Sequence, residues 1–136
     1  MKLSILTFFV LINIQLVLAQ SVEDKNTGNL TIVVAGLEND DGEVLIAVSN
    51  SRENYESNDS VFVGVQVKIE NRKVEHTFEE LPFGEYAIKL FHDENMNGEL
   101  DSNFLGIPTE DYGFSNNARG TFGPAEYDDA KFLFPF

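Results

Sequence analysis

Residues 61–69 read VFVGVQVKI. Val61, Val63, Val65, Val67 and Ile69 alternate without a break, and Gln66 and Lys68 fall on the opposite side. A period of two with branched apolar residues on one side marks a half-buried strand. The rhythm recurs upstream. Leu30, Ile32 and Val34 share a face in residues 30–35, and Val44, Ile46 and Val48 do so in residues 43–49. Between them lies Asn39-Asp40-Asp41-Gly42. Asp-Gly readily takes positive φ, so this cluster predicts a turn joining the two runs as an antiparallel pair. Downstream, Glu70-Asn71-Arg72-Lys73 leads into Val74, His76 and Phe78. That tight polar connection predicts a second hairpin, of residues 61–69 with residues 74–78.

The next stretch, Leu81-Pro82-Phe83-Gly84-Glu85-Tyr86, breaks the rhythm and restarts it. Pro82 bars a central strand position, and Gly84 supplies a backbone bend. Tyr86, Ile88, Leu90 and His92 then fall on one face, with Ala87, Lys89 and Phe91 on the other. Residues 130–134 make a last short strand. Residues 50–60 are polar around Tyr55 and read mostly as loop, with room for one helical turn. No amphipathic helix and no fixed-period repeat appears. Short strands at turn spacing predict an all-β sandwich or small barrel, its core filled by many of the twelve phenylalanines.

Composition bounds the rest. A chain of 136 residues holds one domain. Lys2, the apolar run over residues 3–18 and Val17-Leu18-Ala19 predict a cleaved signal peptide over residues 1–19. The run is shorter than the roughly 20 residues of a membrane span, so no membrane insertion is expected after cleavage. Residues 20–29 read as a polar lead-in, and residues 30–136 as the domain. With no cysteine, the domain relies on its apolar core rather than on disulfides. A signal peptide without cysteines favours a bacterial periplasmic or cell-surface location. The formal charge is −14, which repels nucleic acid and anionic membranes and attracts cations and basic partners.

The longest stretch without apolar rhythm begins at His92. Asp93-x-Asn95-x-Asn97-Gly98-Glu99-Leu100-Asp101 puts carboxylates and amides at positions 1, 3, 5 and 9 of an EF-hand-like loop, with glycine at position 6. Calcium takes six to eight oxygens, and alternate side chains on a coiled loop converge on one point. The candidate ligands are Asp93, Asn95, Asn97, Glu99 through its backbone carbonyl, and Asp101. Position 12 is Phe104 instead of the usual glutamate, so Glu110 or Asp111 is the candidate to close the shell. The competing expectation is a metal-free loop stapled by its own Asp and Asn side chains.

The segments His92–Asp101 (HDENMNGELD), Gly106-Ile107-Pro108-Thr109-Glu110 and Gly113-Phe114-Ser115-Asn116-Asn117, preceded by LPFGEYAIKL, together resemble the bacterial family called domain of unknown function 2141. The resemblance covers roughly residues 30–134. It implies a secreted domain of about this length and brings no established activity. The bend at residues 81–86 is also similar to one in immunoglobulin-like and collagen-adhesin B-type domains, some of which carry a calcium loop of this spacing. The resemblance implies a further strand after Asp128-Asp129-Ala130-Lys131-Phe132, whereas the sequence stops at Phe136. A short or absent last hairpin is therefore expected, with Pro135 blunting the neighbouring edge.

The overall expectation is an antiparallel immunoglobulin-like β-sandwich of about seven strands with one long loop over about residues 92–128. Its expected role is a secreted, non-enzymatic binding or structural module. Phe104, Tyr112, Phe114 and Phe122 on the loop would meet a protein or glycan partner, unless they fold back onto the sandwich edge. The alternative is a glycan-directed hydrolase using the loop carboxylates and His92. His76, between Val74 and Phe78, reads as a core or interface histidine rather than a base. Ser115 lacks the second glycine of a nucleophile elbow.

Overall fold

The computed structural model describes residues 26–57 and 59–135. The predicted signal peptide and most of the polar lead-in lie outside them. The described chain is mostly antiparallel strand: β1 (Thr27–Ala35), β2 (Glu43–Ser49), a helical turn α1 (Arg52–Glu56), β3 (Val63–Lys68), β4 (Lys73–Pro82), β5 (Gly84–Asp93), β6 (Tyr112–Phe114), a second helical turn α2 (Tyr127–Ala130) and β7 (Phe132–Phe134). β1 and β4 form one sheet. The other has the order β3-β2-β5, and the far edge of β5 is shared by β7 along its first half and β6 along its second.

The faces follow the alternation, but the pairing does not follow chain order. β1 pairs with β4 instead of β2, and β3 pairs with β2 instead of β4, so neither predicted hairpin forms. Both connections cross between the sheets. The connection after β1 is anchored to the one before β4: Leu37 N donates to Arg72 O at 3.3 Å, and Asn71 N donates to an Asp40 carboxylate oxygen at 3.1 Å. Crossing lets Leu30, Ile32 and Val34 face Val44, Ile46 and Val48 through the core rather than sit beside them. Each apolar side chain so buried contributes about 1.5–3 kcal/mol.

Several bounds shift. β1 starts at Thr27, inside the expected lead-in. β3 covers 63–68, although Phe62 N still reaches Val48 O of β2 at 3.0 Å. β4 runs through Pro82, which is compatible with proline because it lies at the end of a two-stranded sheet. Ala130 belongs to α2, and the last strand shortens to β7. The long loop over residues 92–128 is not structureless: it contains β6, a 3-10 turn at Ser115–Asn117 and the start of α2.

A second small core lies outside the larger sheet, where Tyr55 of α1, Tyr127 and Ala130 of α2 and Ala87 of β5 are buried together. Ser51 caps α1 by accepting from Asn54 N. The Tyr55 hydroxyl donates to Ala125 O at 2.9 Å. Burial, with the charge of Asp129 adding to it, pushes the Tyr55 phenol up to about 12 from its ordinary 10.0. A phenol raised on folding stabilises the fold fully below its unfolded value, and that contribution is lost as pH rises through the folded one. The melting temperature is therefore expected to fall between pH 10 and about 12. Tyr55→Phe should flatten that slope, and tyrosinate absorbance during alkaline unfolding checks it. A slope unchanged in the variant would refute the assignment.

Candidate functional site

Strand alternation sends the last two residues of β5 to opposite faces. His92 turns into the sandwich and Asp93 turns out beneath the loop, and both are fully buried. The Asp93 carboxylate accepts from two backbone amides, Asn97 N at 3.1 Å and Gly98 N at 2.7 Å. The loop then closes on itself. Asn95 Oδ1 accepts from Asn97 N at 3.0 Å, and Asn97 Oδ1 accepts from Glu99 N at 2.8 Å. The side-chain amides of Asn95 and Asn97 each donate to Asp101, at 2.5 and 3.0 Å. Gly98 turns the chain with φ of 80°, in the left-handed region that glycine takes without strain.

Of the two residues considered for closing the shell, the structure brings Glu110 to the loop. Its carboxylate accepts from Glu94 N at 3.0 Å and Asp101 N at 2.9 Å. Asp111 instead offers its backbone carbonyl to His92 N at 2.8 Å. Glu99 is exposed and joins the network through its backbone amide. Asp93, Asn95, Asn97, Asp101 and Glu110 thus meet in one hydrogen-bonded ring.

Each side-chain oxygen of the set accepts a hydrogen bond within the loop. Among the described residues no group of three His, Cys, Asp or Glu side chains is placed to hold a metal by itself. Calcium, however, also takes oxygens from Asn amides, backbone carbonyls and water. The two Asn amide N–H groups now stand in for positive charge against the Asp101 carboxylate. A cation there would be held by Asp93, Asn95, Asn97, Asp101 and Glu110, supplying charge neutralisation and rigidity.

Of the titratable groups of the hydrolase alternative, His92, Asp93 and Glu110 do not line one cleft. His92 lines a cleft between β1 and β6, with Asp111 at its rim, while Asp93 and Glu110 lie under the loop and do not line that cleft. His92 Nε2 donates to Asp41 O at 2.6 Å, which leaves Nδ1 buried without a hydrogen-bond partner; Glu94 Oε1 stands 3.9 Å away. His76 packs edge-on against Phe78, ring centroids 4.6 Å apart. The Ser115 hydroxyl accepts from Ile88 N at 2.9 Å and donates to Ala130 O, so it acts as a bracket between β5 and α2. Asn116 and Asn117 occupy positive φ, at 60° and 50°, and form turns as their composition predicts.

The four display aromatics divide. Phe104 and Phe122 are fully exposed and Tyr112 is half exposed, whereas Phe114 folds back against the second core. Phe104 sits on a tip, residues 103–108, held by Asn103: its Oδ1 accepts from Leu105 N at 2.9 Å and Ile107 N at 3.1 Å.

One feature escapes the sequence analysis. The outer face of the larger sheet carries a groove of about 650 Å³. Register places Gly64, Ala47, Lys89 and Phe114 in one row across four strands, and Gln66, Leu45, Phe91 and Tyr112 in the next. Leu100 of the loop and Pro124 also line the groove. The signal for it is β2 itself, where Val44-Leu45-Ile46-Ala47-Val48 is apolar on both faces.

Comparison with known proteins gives one result. The profile of a family described as "Uncharacterized protein conserved in bacteria (DUF2141)" matches residues 32–135. No curated protein and no solved structure matches. The chain belongs to that family.

Proposed function

We propose that this family member is a secreted, non-enzymatic binding or structural module of the bacterial periplasm or cell surface, whose loop over residues 93–110 is locked by calcium. One observation carries the proposal: the buried Asp93 carboxylate gathers the amides of Asn97 and Gly98, and the same turn brings Asn95, Asn97, Asp101 and Glu110 together. A loop preorganised in this way loses little further entropy when it takes up a cation. The separation of His92 from Asp93 and Glu110 supports the non-enzymatic reading, since acid–base work needs such groups around one cleft. The exposed tip at Phe104 is the surface offered to a protein or glycan.

An immunoglobulin-like arrangement is supported by strand order. Taking β1, β2, β3, β4 and β5 as strands B, C, C′, E and F, the pairs β1–β4, β2–β5 and β2–β3 correspond to B–E, C–F and C–C′. The strand that follows F would be supplied in two pieces by β6 and β7. Tyr86, at the start of β5, donates its hydroxyl back to Pro82 O at 2.7 Å, as the tyrosine at the start of strand F does in that fold.

Calcium titration followed by thermal melting tests the proposal. At 100 times its Kd, calcium should stabilise the fold by about 2.7 kcal/mol, a rise of roughly 10 °C for a domain of this size. Asp101→Asn should remove most of the rise while leaving the metal-free melting temperature nearly unchanged. The absence of any shift at millimolar calcium would end the metal assignment.

A further inference from the structure

The groove on the outer face of the larger sheet differs in charge from the rest of the molecule. The chain has 23 acidic residues, yet among the described residues none lines the groove, and Lys89 is the one cation that does. Gly64 and Ala47, directly paired across β3 and β2, leave the floor hollow. Phe91 and Tyr112 continue it as an apolar shelf, and Leu100 and Pro124 border it. A volume of about 650 Å³ falls in the range of small-molecule sites.

Lys89 gives the groove its polarity. Its ammonium lies 4.5 Å from the centre of the Tyr55 ring, beside the groove. Among the described residues no carboxylate forms an ion pair with it. Arg52, Lys73 and Lys131 are paired, and of the described cations without an ion pair only Lys89 lines the groove. Burial holds the Lys89 amine below its ordinary range, although the Glu56 carboxylate, which lines the neighbouring cleft with it, acts in the opposite direction. The ammonium therefore still gains from an anion brought into the same desolvated place. An apolar trough with one unpaired cation and no acid complements an apolar molecule bearing one negative charge.

We propose that this groove binds an amphiphilic carboxylate, its apolar body over Gly64, Ala47 and Phe91 and its carboxylate on Lys89. The site is separate from the cation loop and does not require it.

Isothermal titration with decanoate and with decyltrimethylammonium, both below their micelle thresholds, tests the proposal on the leader-free chain. Decanoate should bind one to one and about tenfold more tightly, the factor expected of one charge-assisted contact, even though the protein as a whole attracts the cation. Lys89→Gln should abolish that preference. Gly64→Leu should abolish binding of either probe. A Cβ at Gly64 meets only ordinary contacts, the nearest being Ile46 O at 3.4 Å, so a side chain can start there, and an unchanged melting temperature of the variant checks that the fold is kept. The proposal is overturned if neither probe binds, if the cation binds as tightly as decanoate, or if Gly64→Leu leaves decanoate affinity unchanged. It is equally overturned if sedimentation shows ligand-free dimers that Gly64→Leu dissociates, since the occupant would then be a second copy.

Discussion

Gly42→Ala is expected to cost at least about 3 kcal/mol and to detach the loop over residues 93–101 from the sheet. Gly42 has φ of 68°, a conformation an alanine adopts only with strain. The space is also taken: a Cβ there would stand 2.0 Å from Asp93 O and 2.7 Å from Glu94 Cα. Both are backbone atoms, so no side-chain rotation relieves the overlap. The chain must open between β2 and the end of β5, where Glu43 pairs with Asp93. Opening there would also strain the bond from His92 Nε2 to Asp41 O and the one from Asn39 Nδ2 to Glu94 Oε1. Urea unfolding checks the loss, and amide exchange at Asn97 and Gly98 locates it. An alanine variant as stable as the parent, with those amides still protected, would refute the close packing.

Much of this arrangement was legible in the sequence, and what was hidden has one cause. A period of two states which face a residue takes but not which strand lies beside it. Val44, Ile46 and Val48 are buried as their spacing predicts, and Tyr86, Ile88 and His92 likewise. Partners are set by contacts distant in sequence, such as Asp40 with the amides of Asn71 and Arg72. A local reading of Asp41-Gly42 therefore yields a hairpin where the chain in fact crosses between layers. The loop was more legible because its bonds are short-range: Asn95 to Asn97 and Asn97 to Glu99 each span two residues. Choosing Glu110 over Asp111 needed the fold, since β6 turns Asp111 toward the His92 backbone. The groove was only partly legible: β2 is apolar on both faces, but the rows that shape the groove exist only once four strands are in register. Tyr55 was hidden for a similar reason: its burial comes from α2, seventy-odd residues away in the chain.

Asp93→Ala is expected to destabilise the metal-free protein by about 2–4 kcal/mol. Two charge-assisted hydrogen bonds vanish together, and the amides of Asn97 and Gly98 lose their acceptor. Those residues are otherwise exposed, so water recovers part of the loss and holds the figure below that of a fully buried pair. Asp93→Asn keeps the shape and one acceptor oxygen and should cost about half as much. Asp101→Asn, whose acceptors serve two side-chain amides at the surface, should scarcely alter the metal-free midpoint. The expected contrast separates two roles for neighbouring carboxylates: Asp93 would hold the loop in shape with or without a cation, while Asp101 would matter chiefly to the cation proposed above. Urea midpoints at unchanged m-value, measured with calcium and with chelator, report both quantities for each variant. If Asp93→Ala costs no more than Asp101→Asn in chelator, the buried carboxylate is not what shapes the loop, and the hydrogen-bond network beside it has some other origin.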